Sequence, residues 1–151
     1  MIPRFYSPLG EYLKPNKVLV IYGPRRVGKT TLVKEFLKST SLKYRFDSGD
    51  NIVIRETLSS ENFNLIKEYC EGYELIIIDE AQTIKNIGKA LKIMVDEIPG
   101  IRILVTGSSS FELSNQLGEP LVGRQQILKL FPIAQLELRN QLNHFDLKQN
   151  L

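Results

Sequence analysis

Apolar positions along the chain fall into two alternating patterns. Short, nearly unbroken runs rich in β-branched residues occur at Lys17–Tyr22, Leu75–Ile78 and Ile101–Val105. Runs of this kind predict strands covered on both faces, as in parallel sheets. Weaker strands are expected at Leu42–Phe46 and Gln126–Phe131, the second stopped by Pro132. Between the strands, apolar residues recur at three- and four-residue spacing. Leu32, Val33, Phe36 and Leu37 mark a helix over Thr30–Lys38, and Phe63, Leu65, Ile66, Tyr69 and Cys70 mark one over Glu61–Glu71 with Ser60 as its N-cap. Ile84, Ile87, Leu91, Met94, Val95 and Ile98 mark a third over Ile84–Ile98, ended by Pro99-Gly100. Asp47-Ser48-Gly49-Asp50 reads as a turn. Strands joined by helical crossovers predict an α/β fold, a three-layer domain with a mainly parallel five-stranded sheet.

The first strand runs into Gly23-Pro24-Arg25-Arg26-Val27-Gly28-Lys29-Thr30, followed by Thr31. This is the spacing G-x-x-x-x-G-K-[ST], placed between a buried strand and an amphipathic helix as a phosphate-binding loop requires. Its glycines permit backbone conformations closed to other residues and a close approach to an anion. Successive N–H groups and the positive end of the following helix then face the phosphate oxygens. Lys29 can reach the β- and γ-phosphates, and the Thr30 hydroxyl can coordinate magnesium. The pattern therefore implies a P-loop NTPase that takes a nucleoside triphosphate with Mg2+.

The most apolar run ends in Asp79-Glu80, which puts two carboxylates at the carboxyl edge of a parallel sheet, where ligands sit. Asp79 can hold the magnesium, and Glu80 can orient and polarise a water for in-line attack. The guanine-selecting pattern Asn-Lys-x-Asp is absent, since the only Asn-Lys, at Asn16-Lys17, continues Val18-Leu19. ATP is favoured over GTP. The next strand ends in Thr106-Gly107-Ser108-Ser109-Ser110. The Thr106 and Ser108 hydroxyls can touch the γ-phosphate or the water; a helix cap or polar turn is the competing reading.

Composition narrows the chemistry further. The chain has 151 residues and a formal net charge of +3, the size of about one domain with no strong electrostatic pull toward nucleic acid. Cys70 is the only cysteine and His144 the only histidine, which removes intramolecular disulfides, multi-cysteine metal sites and paired-histidine chemistry. Cys70 lies in a helical pattern and is expected to be a small core residue. No secretory signal or membrane-length apolar run is visible, so a cytoplasmic location is expected, without membrane association. The ATPase core is expected over 1–139, with 140–151 a polar tail, frayed or disordered.

Taken together, the motifs resemble those of a family of archaeal and bacterial AAA-like ATPases. They are GPRRVGKT at Gly23–Thr30, DE-x-Q at Asp79-Glu80-Ala81-Gln82, TGSSS at Thr106–Ser110, and Gly123-Arg124 before the last strand. The resemblance implies the additional-strand sheet, in which the TGSSS strand separates the acidic strand from the phosphate-loop strand. It implies Gln82 as a polar residue near the acidic pair. It implies Arg124 as an arginine acting on the γ-phosphate in its own or a neighbouring subunit; read from the residues alone, Arg124 is a surface charge. Family members usually carry a helical or winged lid and a further domain, and the chain stops soon after Pro132, so an ATPase core alone is expected. Two functions follow: hydrolysis of Mg-ATP, or a nucleotide-dependent binding module with little turnover. Partners are the nucleotide and either a second copy or another protein; nucleic acid is possible but not indicated.

Overall fold

The computed structural model of the chain describes residues 13–22, 29–107 and 125–129. Among these, five strands form one sheet: β1 (Lys17–Tyr22), β2 (Tyr44–Ser48), β3 (Leu75–Asp79), β4 (Arg102–Gly107) and β5 (Gln125–Lys129). Their spatial order is β2-β3-β4-β1-β5, and every neighbouring pair is parallel. The strand ending in Asp79 is thus separated from the phosphate-loop strand by β4, as the motif resemblance implied. Val20 lies opposite Val105, and Ile76 opposite Ile103.

Strands β1, β3 and β4 are covered on both faces, which is why their residues show no polar side. Val18, Val20, Ile76, Ile78, Ile103 and Val105 are fully buried in one cluster with residues of three helices. Those helices are α2 (Ile52–Ser59), α3 (Phe63–Cys70) and α4 (Ile87–Glu97). Leu19, Ile21, Ile77 and Leu104 point the other way and are buried as well, and α1 (Lys29–Ser39) supplies buried Val33, Phe36 and Leu37. Burying each large aliphatic side chain contributes about 1.5–3 kcal/mol before entropy is counted. Cys70 is a core residue as expected, and burial pushes its thiol up to about 12, far from a thiolate.

Several boundaries differ from the sequence expectations, and three of the differences have a visible local cause. The helix expected over Glu61–Glu71 is shorter, Phe63–Cys70. Glu61 adopts φ 57°, a left-handed conformation that breaks the helical path, and Asn62 rather than Ser60 caps α3 by accepting from the Leu65 N–H. The run Asp47–Asp50 is a turn only in its second half, because Asp47 and Ser48 pair with β3 as part of β2. Helix α4 begins at Ile87 rather than Ile84, since Asn86 is left-handed at φ 60°. Helix α2 has no counterpart in the expectations.

The N-terminal side of β1 is tied down by Asn16, itself left-handed at φ 59°. Its amide donates to the carbonyls of Val95 (2.7 Å) and Ile98 (2.9 Å), and its side-chain oxygen accepts from the Gly100 N–H at 2.9 Å. One side chain thereby satisfies groups at the C-terminal end of α4 that have no partner within the helix. No helix among the described residues is long and apolar enough to cross a membrane.

Candidate functional site

The parallel sheet brings the carboxyl ends of β1, β3 and β4 to one edge, and α1 starts there. Residues Gly23–Gly28 of the phosphate loop lie outside the described residues, as does the Lys29 side chain; Lys29 is the first residue of α1. Thr30, one residue on, is half-buried, and Thr31 is exposed. The Thr30 hydroxyl donates to Asp79 Oδ2 at 2.9 Å, although the two residues are 49 apart in sequence. The start of α1 and the end of the acidic strand therefore meet through these two side chains.

The second Asp79 oxygen, Oδ1, accepts a short hydrogen bond from the Thr106 hydroxyl. Thr106 is fully buried on β4, and its oxygen also accepts from the Glu80 N–H at 3.1 Å. Its described contacts are thus with the acidic pair, as an orienting group for both residues. Ser108 and Arg124 lie outside the described residues, as does the tail 140–151.

Glu80 leaves the strand in a left-handed conformation, φ 55° and ψ 49°. For a residue with a Cβ this costs about 1–2 kcal/mol, so the surrounding contacts must over-determine it. They do so at each of its groups. The N–H is held by Thr106, and the carbonyl accepts from the Thr83 hydroxyl at 2.9 Å. The carboxylate accepts from the Gln82 amide, Nε2 to Oε1 at 2.8 Å. Gln82 sits in a short 3₁₀ turn, Ala81–Thr83, and is buried, so the expected polar residue near the acidic pair acts on Glu80 itself.

Behind this turn stands Gly49, which the sequence suggested only as a turn residue. Its N–H donates to the Asp79 carbonyl at 2.7 Å. A Cβ here would fall within 3.0 Å of both the Glu80 carbonyl oxygen and the Thr83 hydroxyl, nearer than real Cβ atoms come.

Comparison with known proteins accords with this fold. Residues 15–139 match the AAA domain family. The chain belongs to that family. It is 32% identical over 126 residues to an uncharacterized protein of Methanocaldococcus jannaschii, a match over 80% of this chain and 28% of that protein. A shorter stretch of 31 residues, 20% of this chain and 10% of the relative, is 61% identical to an uncharacterized ATP-binding protein of Pyrococcus horikoshii. The chain thus spans less than a third of the length of either relative. Among solved structures, domain III of the Thermotoga maritima replication initiation protein DnaA is similar in fold. It aligns with a TM-score of 0.61 at 17% identity, over 91% of this chain and 68% of that one. Family and fold together support nucleotide binding by this AAA domain.

Proposed function

We propose that this AAA domain binds ATP with magnesium and hydrolyses it to ADP and phosphate. The observation that carries this reading is the Thr30–Asp79 hydrogen bond, which joins the phosphate-loop helix to the acidic strand at the sheet edge. A hydroxyl and a carboxylate oxygen within 2.9 Å are hard donors of the kind magnesium takes, with phosphate and water completing its shell. Thr30 and Asp79 would hold the ion, which when bound neutralises charge on the β- and γ-phosphate oxygens. Gly23, Pro24, Arg25, Arg26, Val27, Gly28 and Thr31 line the phosphates in this reading, and Lys29 reaches the γ-phosphate.

Glu80 then serves as the group that orients water. Its carboxylate draws the proton as the water oxygen bonds to the γ-phosphorus. The bond from that phosphorus to the β–γ bridging oxygen breaks, and ADP carries away the electron pair. Arg124, from the sequence pattern alone, is proposed to stabilise the charge on the transferred group, within the chain or from a second copy.

The reading is checked by separating binding from turnover. Lys29→Ala is expected to abolish ATP affinity in calorimetry, because the mobile cation on the phosphates is lost. Glu80→Gln keeps affinity within a few-fold and lowers hydrolysis by at least about a hundredfold. Equal, negligible turnover by wild type and Glu80→Gln, each still binding ATP, would favour a nucleotide-dependent binding module instead.

A further inference from the structure

Gly49 follows directly on β2, the strand beside β3, and its backbone abuts the residue assigned as water-orienting. We propose that Gly49 is a positioning residue for Glu80. The absence of a side chain at 49 lets the turn after β2 support the Glu80 peptide, and so sets the direction of the Glu80 carboxylate. The inference rests on the ATPase reading above.

Three observations converge on it. The turn is fixed relative to β3: Ser48 lies opposite Asp79 in register, and the Gly49 N–H bonds the Asp79 carbonyl at 2.7 Å. It is also fixed from α2, where Arg55 Nη1 donates to the carbonyls of Gly49 at 3.4 Å and Asp50 at 3.3 Å. Asn51 adds to this by capping α2 through the N–H groups of Val53 and Ile54. Finally, the atoms that a Cβ at 49 would strike are the Glu80 carbonyl oxygen and the Thr83 hydroxyl that bonds it.

With the turn held on two sides, an added methyl must be relieved at the Glu80–Thr83 segment. That segment holds a left-handed residue whose Cα–Cβ direction depends on its backbone angles. A small rotation there swings the carboxylate away from the water while leaving Thr30, Asp79 and the phosphate loop in place. Misplacement of a reacting group by about 1 Å can cost a hundredfold in rate. The effect therefore falls on kcat and not on nucleotide affinity.

The experiment compares Gly49→Ala with Thr83→Val and with Gly72→Ala, each as the full chain. Thr83→Val removes the hydroxyl from the Glu80 carbonyl at constant shape and leaves residue 49 untouched. Gly72 has φ +86° and open space around it, so alanine there strains the backbone far from the site and reports the effect of lost stability alone. Two readouts are taken: steady-state kcat and KM for Mg-ATP, and amide hydrogen exchange over residues 79–84. Gly49→Ala is expected to lower kcat at least about tenfold with KM within about threefold, and to speed exchange over 79–84 beyond that of Gly72→Ala. Thr83→Val shifts both in the same direction by less, and Gly72→Ala changes neither kcat nor KM.

Gly49→Ala and Thr83→Val with kcat within twofold of wild type and unchanged exchange would overturn the proposal, as would equal losses in Gly72→Ala. If Gly49→Ala does not fold, Thr83→Val decides by the same two readouts. If wild type and Glu80→Gln alike show no turnover, the ATPase reading fails and exchange over 79–84 alone decides the positioning role.

Discussion

A single hydroxyl ties the Asp79 carboxylate to the backbone of Glu80. Thr106 donates to Asp79 Oδ1 and accepts from the Glu80 N–H, and its side chain is fully buried. Valine has the same shape but can do neither. In Thr106→Val the Glu80 N–H loses its 3.1 Å partner and one Asp79 oxygen loses a donor, both in surroundings that water does not readily reach. Leaving such groups unsatisfied costs about 1–3 kcal/mol. Urea denaturation of the nucleotide-free protein should show that loss as a lower midpoint at unchanged slope, with most of it recovered in Thr106→Ser. A hydroxyl that served only the γ-phosphate or the attacking water would leave the nucleotide-free stability unchanged, and that result would sink the orienting role. Reading Thr106 as a polar residue at a strand end was within reach of the sequence; its bond to Asp79 depends on β4 lying beside β3.

Among the elements, those with a regular apolar pattern were legible and those shaped by local backbone breaks were not. Strands β1, β3 and β4 are buried on both faces, so their unbroken apolar runs carry the signal directly. Helix α2 hides because Ile52 and Val53 in its first turn are 60% and 62% exposed, so three consecutive apolar residues define no face. Its cap, Asn51, follows a run of turn residues. Asn16 hides for another reason: its partners at Val95, Ile98 and Gly100 lie about eighty residues away in sequence. Its contribution to α4 and β4 can be separated into hydrogen bonds and backbone conformation. Asn16→Gly loses the three side-chain bonds but keeps the left-handed angle freely. Asn16→Ala loses the bonds and also keeps a Cβ in that region, about 1–2 kcal/mol worse than glycine. Thermal or chemical denaturation should therefore rank wild type above Asn16→Gly and Asn16→Gly above Asn16→Ala. Glycine and alanine of equal stability would mean that the backbone angle relaxes once the side chain is gone.

At the scale of the molecule, the candidate site edge is where α1 and the middle of the sheet are joined, and the fold explains why sequence patterns point there. In a parallel sheet, carboxyl ends converge, so Thr30, Asp79, Glu80 and Thr106 were placeable together from their positions at element ends. The order of the strands was carried by the motif resemblance, because apolar runs of similar strength do not rank themselves in space. Gly49 lay beyond both sources, since its close approach to Glu80 arises only once β2 pairs with β3. The same joining makes nucleotide binding a stability effect on the whole chain. A ligand that binds only the folded state adds about 2.7 kcal/mol at a hundredfold excess over its dissociation constant. ATP without metal should act through the phosphate loop, whereas magnesium should add a further increment through Thr30 and Asp79, whose side chains touch at 2.9 Å. Thr30→Val removes the hydroxyl donor to the ion while keeping the shape and the phosphate loop. Its melting temperature should accordingly rise with ATP alone about as in wild type, but gain little more when magnesium is added. Four melts of each protein, with and without ATP and with and without magnesium, isolate that increment as a difference of differences. A full magnesium increment in Thr30→Val would place the ion elsewhere, and with it the assignment of Asp79 as its protein carboxylate would fall.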